Sequence, residues 1–403
     1  MKPGRQARLF FKVHQYQPET VRKIQMHIPE SFSEPVYVTR PALPDVKAVY
    51  GKIDEIWGSQ WLTNIGGQHK LFEAKLQAHL RAANISLFCN DTMALQLACQ
   101  AFRLSGEVIT TPFTFPATAH VLYWNNLKPV FCDIDPWTFN IDAGQLEALI
   151  TPYTTAILPV HVFGYPCDID AIKTIADRYG VRVIYDAAHC FGVEVDDQPI
   201  GSFGDISMFS FHATKIFHTI EGGALTYNDR VLKERLELSR NFGFKGEEQI
   251  VVPGINGKMN EIQAAVGLLM LDIIDAESSR RKALTQAYRQ RLKDVPGIVF
   301  REDLPGVRHN YYNFVVTIDE DKFGYSRDEL YRKLKKFNIF TRKYFYPLCS
   351  QLQCYRNLPS AAPDNLSVAE NISRRVLSLP LYGGLEVDDI QRICDIIKYI
   401  QDF

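Results

Sequence analysis

The chain has 403 residues and a formal net charge of −1, with 46% hydrophobic and 23% charged residues. A near-neutral balance argues against a polyanion such as DNA as the main partner, and no run reaches the roughly 18 apolar residues of a membrane span. The length exceeds one ordinary core, since domains hold about 100–200 residues.

The eight cysteines are scattered. They form no CxxC and no Cys/His cluster, so no metal site is expected and reduced thiols of a cytoplasmic protein are. The N-terminus carries Lys2, Arg5, Arg8, Lys12, Arg22 and Lys23 against Glu19 and Glu30. It lacks an apolar core of signal-peptide length, and residues 1–34 are expected to form an extension.

Residues 45–57 have helical spacing of apolar positions, a glycine-containing turn follows at 63–67, and 70–81 again predict helix. From 86 the pattern alternates. Strands are expected at 86–89, 107–110, 129–133, 155–160, 181–185 and 222–227. Helices are expected at 92–104, 116–125, 143–150 and 168–179. Such units imply an α/β fold with a mostly parallel sheet covered on both faces. Long helices are predicted over 260–292, a strand over 312–317, and helices over 327–337 and 388–401. The expected division is a large domain over 35–285 and a smaller C-terminal α/β domain over 286–403.

In such sheets function collects beyond the C-terminal ends of strands, and three of these ends carry suggestive residues. Cys89-Asn90-Asp91-Thr92 precedes a helix, whose free N–H groups and dipole favour a phosphate; an ordinary helix cap has the same composition. Asp186 follows a buried strand and precedes two alanines, which would let a flat cationic ring approach. Lys215 closes the run Phe209-Ser210-Phe211-His212-Ala213-Thr214. Its apolar background is expected to deprotonate the amine by desolvation, as Schiff-base chemistry requires. A phosphate cup, an acid for a pyridine nitrogen and a lysine for an aldehyde are the needs of pyridoxal 5′-phosphate. Phe115 offers an aromatic face for the ring. A dinucleotide-binding oxidoreductase would share the sheet pattern, but no G-x-G-x-x-G stands at the first strand-to-helix turn.

At these residues the chain resembles the DegT/DnrJ/EryC1/StrS aminotransferases, from about Pro35 to the C-terminus. The blocks that carry the resemblance occur in family order: TRPALP, WLTNIGG, NDTMALQLA, TTPFTFPAT, PVFCDIDP, ILPVHVFGYPCD, YDAAHCFG, SFHATK, EGGAL, GINGKMNEIQAA, YFYPL and LSLPLY. The resemblance implies the aspartate-aminotransferase-like fold (PLP fold type I), a homodimer and a Lys215 that binds the cofactor and shuttles protons. It implies Asp186 at the pyridinium, His189 near the ring's O3′ side and Phe115 stacked on the ring. Thr92, the Met93 amide and Ser210 would hold the phosphate, with Asn256 or Lys258 reaching the neighbouring subunit's phosphate. Asn64, Tyr344 and Phe345 are candidates for the sugar or nucleotide, though the aromatic pair equally suits a packed core.

Two departures stand out. Asp91 occupies a position where the family usually has glycine, and a carboxylate beside a phosphate is repulsive, so Asp91 is expected to point away. The family's WLTNxGP ends here in Gly66-Gly67. Retention of Lys215 favours transamination over dehydration or a binding role without turnover. The runs SFHATK-IFHT-IEGGAL, GINGKMNE and RKYFYPL are similar to bacterial enzymes that transfer the amino group of L-glutamate to C4 of dTDP-4-keto-6-deoxyglucose for surface polysaccharide such as O-antigen. A 3-keto or UDP-linked sugar is the alternative.

Overall fold

The computed structural model describes residues 28–402. The basic N-terminal cluster of the sequence lies outside the described residues.

Helices α1 (Val46–Ser59) and α2 (Gly67–His79) open the fold. Asp45 caps α1 by accepting from the Lys47 and Ala48 amides. The central sheet then draws on β1 (Asn84–Phe88), β2 (Glu107–Thr110), β3 (Lys128–Phe131), β4 (Thr154–Leu158), β5 (Arg182–Asp186), β6 (Ile206–Ser210) and β7 (Gly223–Tyr227). Their spatial order is β1-β7-β6-β5-β4-β2-β3. All neighbouring pairs are parallel except those of β7, which runs antiparallel to both β1 and β6. Two reversals cancel, so β1 points the same way as β6 and β5. Their C-terminal ends therefore share one edge with that of β2.

Helices α3 (Asp91–Ala101), α4 (Ala117–Trp124) and α5 (Ile169–Tyr179) return the chain between strands. Buried Ala94, Leu95, Leu97 and Ala98 of α3 pack with Met208 and Leu225 in one core. The expected helix over 143–150 is a short 3-10 turn at Ala143–Gln145 and a single turn at Leu146–Leu149. Gly144 lowers helix propensity near the start, and extended Ile150, two residues before Pro152, ends the turn.

Helices α6 (Glu261–Leu271) and α7 (Ile274–Leu292) follow. Ile274 belongs to a core of the large sheet, whereas Leu284, Tyr288 and Leu292 belong to the C-terminal core, so α7 joins both. The C-terminal sheet has β8 (Ile298–Phe300), β9 (Phe314–Ile318) and β10 (Val376–Leu379) in antiparallel order, backed by α8 (Val387–Asp402). The segment before α1 packs with this C-terminal unit. Phe32 and Val36 enter its core, and Val36–Tyr37 pairs in parallel with Ile339–Phe340.

Candidate active site

The shared edge of the sheet brings together residues far apart in sequence. Asp186 ends β5 with its carboxylate buried, 5% exposed. Thr118 of α4 donates its hydroxyl to Oδ2 at 2.8 Å, and the Ala188 amide donates to Oδ1 at 3.1 Å. Thr114 lies 3.0 Å from the Thr118 hydroxyl and extends this chain of neutral donors. Burial pushes the Asp186 carboxyl above the usual carboxylate range, against its hydrogen bonds and the Lys215 charge. A buried carboxylate held by neutral donors, with no cation bonded to it among the described residues, fits a protonated ring nitrogen.

Lys215 approaches from the loop after β6. Its Nζ lies 5.3 Å from the centroid of the Tyr312 ring. Desolvation does not win here, contrary to the sequence-based expectation. Burial does lower the Lys215 ammonium, but the Tyr312 phenol, Asp91 and Asp186 together raise it above the ordinary lysine range. Tyr312 also stacks on His189, with centroids 4.6 Å apart and planes at 22°. His189 accepts from the Phe163 amide at Nδ1, 3.1 Å away. Burial, reinforced by Lys215, holds its imidazole neutral, well below the usual histidine range.

Tyr312 was missed from sequence because it looks like the first residue of a strand. β9 starts only at Phe314. Asn310 accepts the Tyr312 amide at 3.1 Å and donates to the carbonyls of His189 and Phe191 at 2.8 and 3.0 Å. This clamp fastens the Tyr312 loop to the His189 loop. Thr118 was also missed; its one signal is that Thr114 and Thr118 are a helical turn apart.

The anion cup departs from expectation. Asp91 does not point away: its Oδ1 accepts from the Thr92 amide at 2.7 Å and the Thr92 hydroxyl at 3.2 Å. The Met93 amide, expected to be free, donates to the cap residue Asn90 at 2.8 Å. The buried Ser210 hydroxyl oxygen accepts only a long 3.5 Å bond from the His212 amide. The donor set thus suits an anion, and a carboxylate already stands on it.

Phe115 is 62% exposed and precedes α4, the helix that supplies Thr118. Tyr344 is half-buried, and burial together with Tyr312 raises its phenol above the usual range. Phe345 is a correction. It is 7% exposed and stacks on Phe163 at 5.5 Å, with Phe113 edge-on at 5.5 Å, so it belongs to the core. Asn64 occupies an exposed turn at φ 64°, a conformation asparagine tolerates. It makes no hydrogen bond to the Lys215 cluster among the described residues. Lys258 is 8% exposed and donates to Asn241 of its own chain at 2.6 Å, whereas Asn256 is exposed.

The lost proline of WLTNxGP also has a structural setting. Glu261 accepts from the Gly66 amide at 2.9 Å, the Gln68 amide at 2.7 Å and the His69 amide at 3.3 Å, closing the start of α2. It passes over the Gly67 amide.

A profile of the DegT/DnrJ/EryC1/StrS aminotransferase family matches residues 46–398. The dTDP-4-amino-4,6-dideoxy-D-glucose transaminase of Escherichia coli is 44% identical over 363 residues, 89% of this chain and 97% of its own. The transaminase of the same name from Shigella dysenteriae is 45% identical over 368 residues, covering 91% of this chain and 100% of its own. Among solved structures, DesI, crystallised in the presence of its TDP-sugar product, superposes with a TM-score of 0.88 at 39% identity, covering 93% of this chain and 94% of its own.

Proposed function

The chain belongs to the DegT/DnrJ/EryC1/StrS aminotransferase family and is a sugar aminotransferase, and on that premise we propose that it transfers the amino group of L-glutamate to C4 of dTDP-4-keto-6-deoxyglucose, with pyridoxal 5′-phosphate as cofactor. The observation that carries the reading is the convergence of Lys215, Asp186 and the Thr92 donors on one sheet edge, in a chain 44–45% identical to two dTDP-4-amino-4,6-dideoxy-D-glucose transaminases. Bound there, pyridoxal phosphate supplies an aldehyde that condenses with amines and a ring that accepts the electron pair left on carbon when a proton departs.

The chain's own residues do the rest. Lys215 Nζ would hold the aldehyde until an incoming amine displaces it, and the freed lysine amine would then take and return the proton at the reacting carbon as general base and acid. The Asp186 carboxylate, oriented by Thr118 and the Ala188 amide, holds a proton on the ring nitrogen. Neutral His189, stacked on Tyr312, would lie toward the ring's O3′ side, and Phe115 would cover one face. Thr92, Met93 and Ser210 receive the phosphate once Asp91 and Asn90 yield their donors. Asn256, being exposed, is the better candidate than Lys258 to reach a second subunit's phosphate. A homodimer also suits exposed Phe242, Phe244, Ile250 and Val251 on the loop bridged to Asn256. Tyr344, whose phenol is influenced by Tyr312 and Lys215, is the aromatic residue we assign to the substrate.

We place the enzyme in the cytoplasm, where its eight free cysteines stay reduced, and assign the product to surface polysaccharide. No helix among the described residues is long and apolar enough to cross a membrane.

The test is a visible spectrum of the purified protein with pyridoxal phosphate, before and after L-glutamate. The band of lysine-bound cofactor should shift to that of the amine form, and adding dTDP-4-keto-6-deoxyglucose should restore it with a 4-amino sugar identified by NMR. A shift with glutamate but no response to this sugar would transfer the assignment to a 3-keto or UDP-linked substrate. Full activity in a Lys215→Ala protein would overturn it.

A further inference from the structure

The N-terminal turn of α3 holds an arrangement that transamination does not require. Asp91 sits at the first position of the helix with its carboxylate on the Thr92 amide and hydroxyl, at 2.7 and 3.2 Å. These are two of the donors that the proposed phosphate site would use, beside the Met93 amide and Ser210. The backbone cannot carry the carboxylate elsewhere. A side-chain carbon on Gly223 would lie 2.7 Å from both the Asp91 amide nitrogen and its Cα, so β7 is packed directly on this turn. Only the Asp91 side chain is free to turn. Its charge acts on both Lys215 and Asp186, raising the lysine ammonium and the Asp186 carboxyl.

We propose that Asp91 is a built-in competitor for the phosphate cup, so that the enzyme holds the amine form of its cofactor less tightly than the same cup would with glycine at this position. The inference rests on the reading of Thr92 as part of the cofactor's phosphate site. A phosphate entering the cup must displace one carboxylate oxygen from two donors and then remain beside its charge. Both effects oppose binding. They matter most after the amino group has been taken up, when no covalent bond to Lys215 retains the cofactor.

The experiment is equilibrium dialysis of pyridoxamine 5′-phosphate against the cofactor-free wild type, Asp91→Asn and Asp91→Gly, with phosphate-free pyridoxamine as control. Asp91→Gly removes both charge and competitor and should bind pyridoxamine phosphate about tenfold or more tighter. Asp91→Asn keeps an acceptor but no charge and should fall between. Pyridoxamine should bind all three alike. Asparagine is a good helix-start residue, so the Asn variant carries the test if the glycine variant unfolds. Unchanged or weaker pyridoxamine phosphate binding in the folded variants would overturn the competition while leaving the phosphate site standing. Equal affinity for pyridoxamine phosphate and pyridoxamine in every protein would sink the phosphate site itself, and the inference with it.

Discussion

Lys215 rests over Tyr312, its Nζ 5.3 Å from the ring centroid, while His189 stacks on the same ring at 4.6 Å. The phenol is the leading influence that raises the Lys215 ammonium against burial. Tyr312→Phe keeps the ring and removes the hydroxyl, so the Lys215 pKa should fall. Covalent capture of pyridoxal phosphate requires the neutral amine. Its rate, followed by absorbance across pH, should then rise at lower pH in the variant than in the wild type. Coincident profiles would remove Tyr312 from any role in tuning the lysine.

Asp186 exchanges stability for function. Its carboxyl is raised by burial, so the folded protein holds that proton more tightly than the unfolded chain, and stability falls as pH rises through the carboxylate range. Asp186→Asn retains an acceptor for Thr118 without the charge. The cofactor-free variant should melt a few degrees higher at pH 7 by calorimetry. Its turnover should drop on the order of 10²-fold, because the ring nitrogen loses the group that keeps it protonated. A variant that melts lower, or one that turns over normally, would contradict this account.

Asn256 and Lys258 should separate cleanly. Asn256→Ala is expected to weaken binding of pyridoxal phosphate several-fold with little effect on melting, because the residue is exposed. Lys258→Ala should lower the melting temperature, because its buried amine holds Asn241 at 2.6 Å and lies 5.2 Å from the Phe242 centroid. The reverse pattern would make Lys258 the residue that reaches the partner subunit.

Gly67→Pro should stabilise the protein by about 0.4–1 kcal/mol in denaturant titrations. Gly67 is the first residue of α2, where proline is favoured. An added Cβ has open space, Glu261 does not use its amide, and Gly66 before it is extended at φ −81° and ψ −159°. A destabilised variant would show that this amide is needed elsewhere.

Acid should destabilise the fold before the carboxylates titrate. His69 and His161 are both pushed down to about 3, chiefly by burial. Each stays neutral when folded and gains a proton when unfolded below its ordinary pKa near 6.5. Stability should therefore be full above that value and decline as pH falls toward 3, by up to about 1.4 kcal/mol per pH unit for each histidine. Guanidinium midpoints at pH 7, 6 and 5 read the slope. His161→Gln, which keeps an acceptor for the Cys167 amide now held at 2.9 Å, should lessen it.

Much of the fold could be read from sequence because hydrophobic periodicity reports burial directly. The expected helices over 45–57 and 168–179 appear as Val46–Ser59 and Ile169–Tyr179, and the strand over 107–110 appears as Glu107–Thr110. Lys215 and Asp186 were legible because each follows an apolar strand in a family block. The side-chain conformations at the cup were not. Asp91 was expected to turn away, and it turns in because Thr92 presents two unpaired donors within its reach.

The amino-acid order alone determined the α/β class and the family, because strand period, turn chemistry and motif blocks are local properties of the chain. Only the tertiary structure decided that Tyr312 lies beneath Lys215, that Thr118 steadies Asp186, that Phe345 is core and that Asp91 occupies the cup. The place of Tyr312 depends on the Asn310 clamp, which draws a distant loop onto the edge where the antiparallel β7 sets the ends of β1, β6 and β5 side by side. Contacts between residues a hundred positions apart leave no periodic trace in sequence.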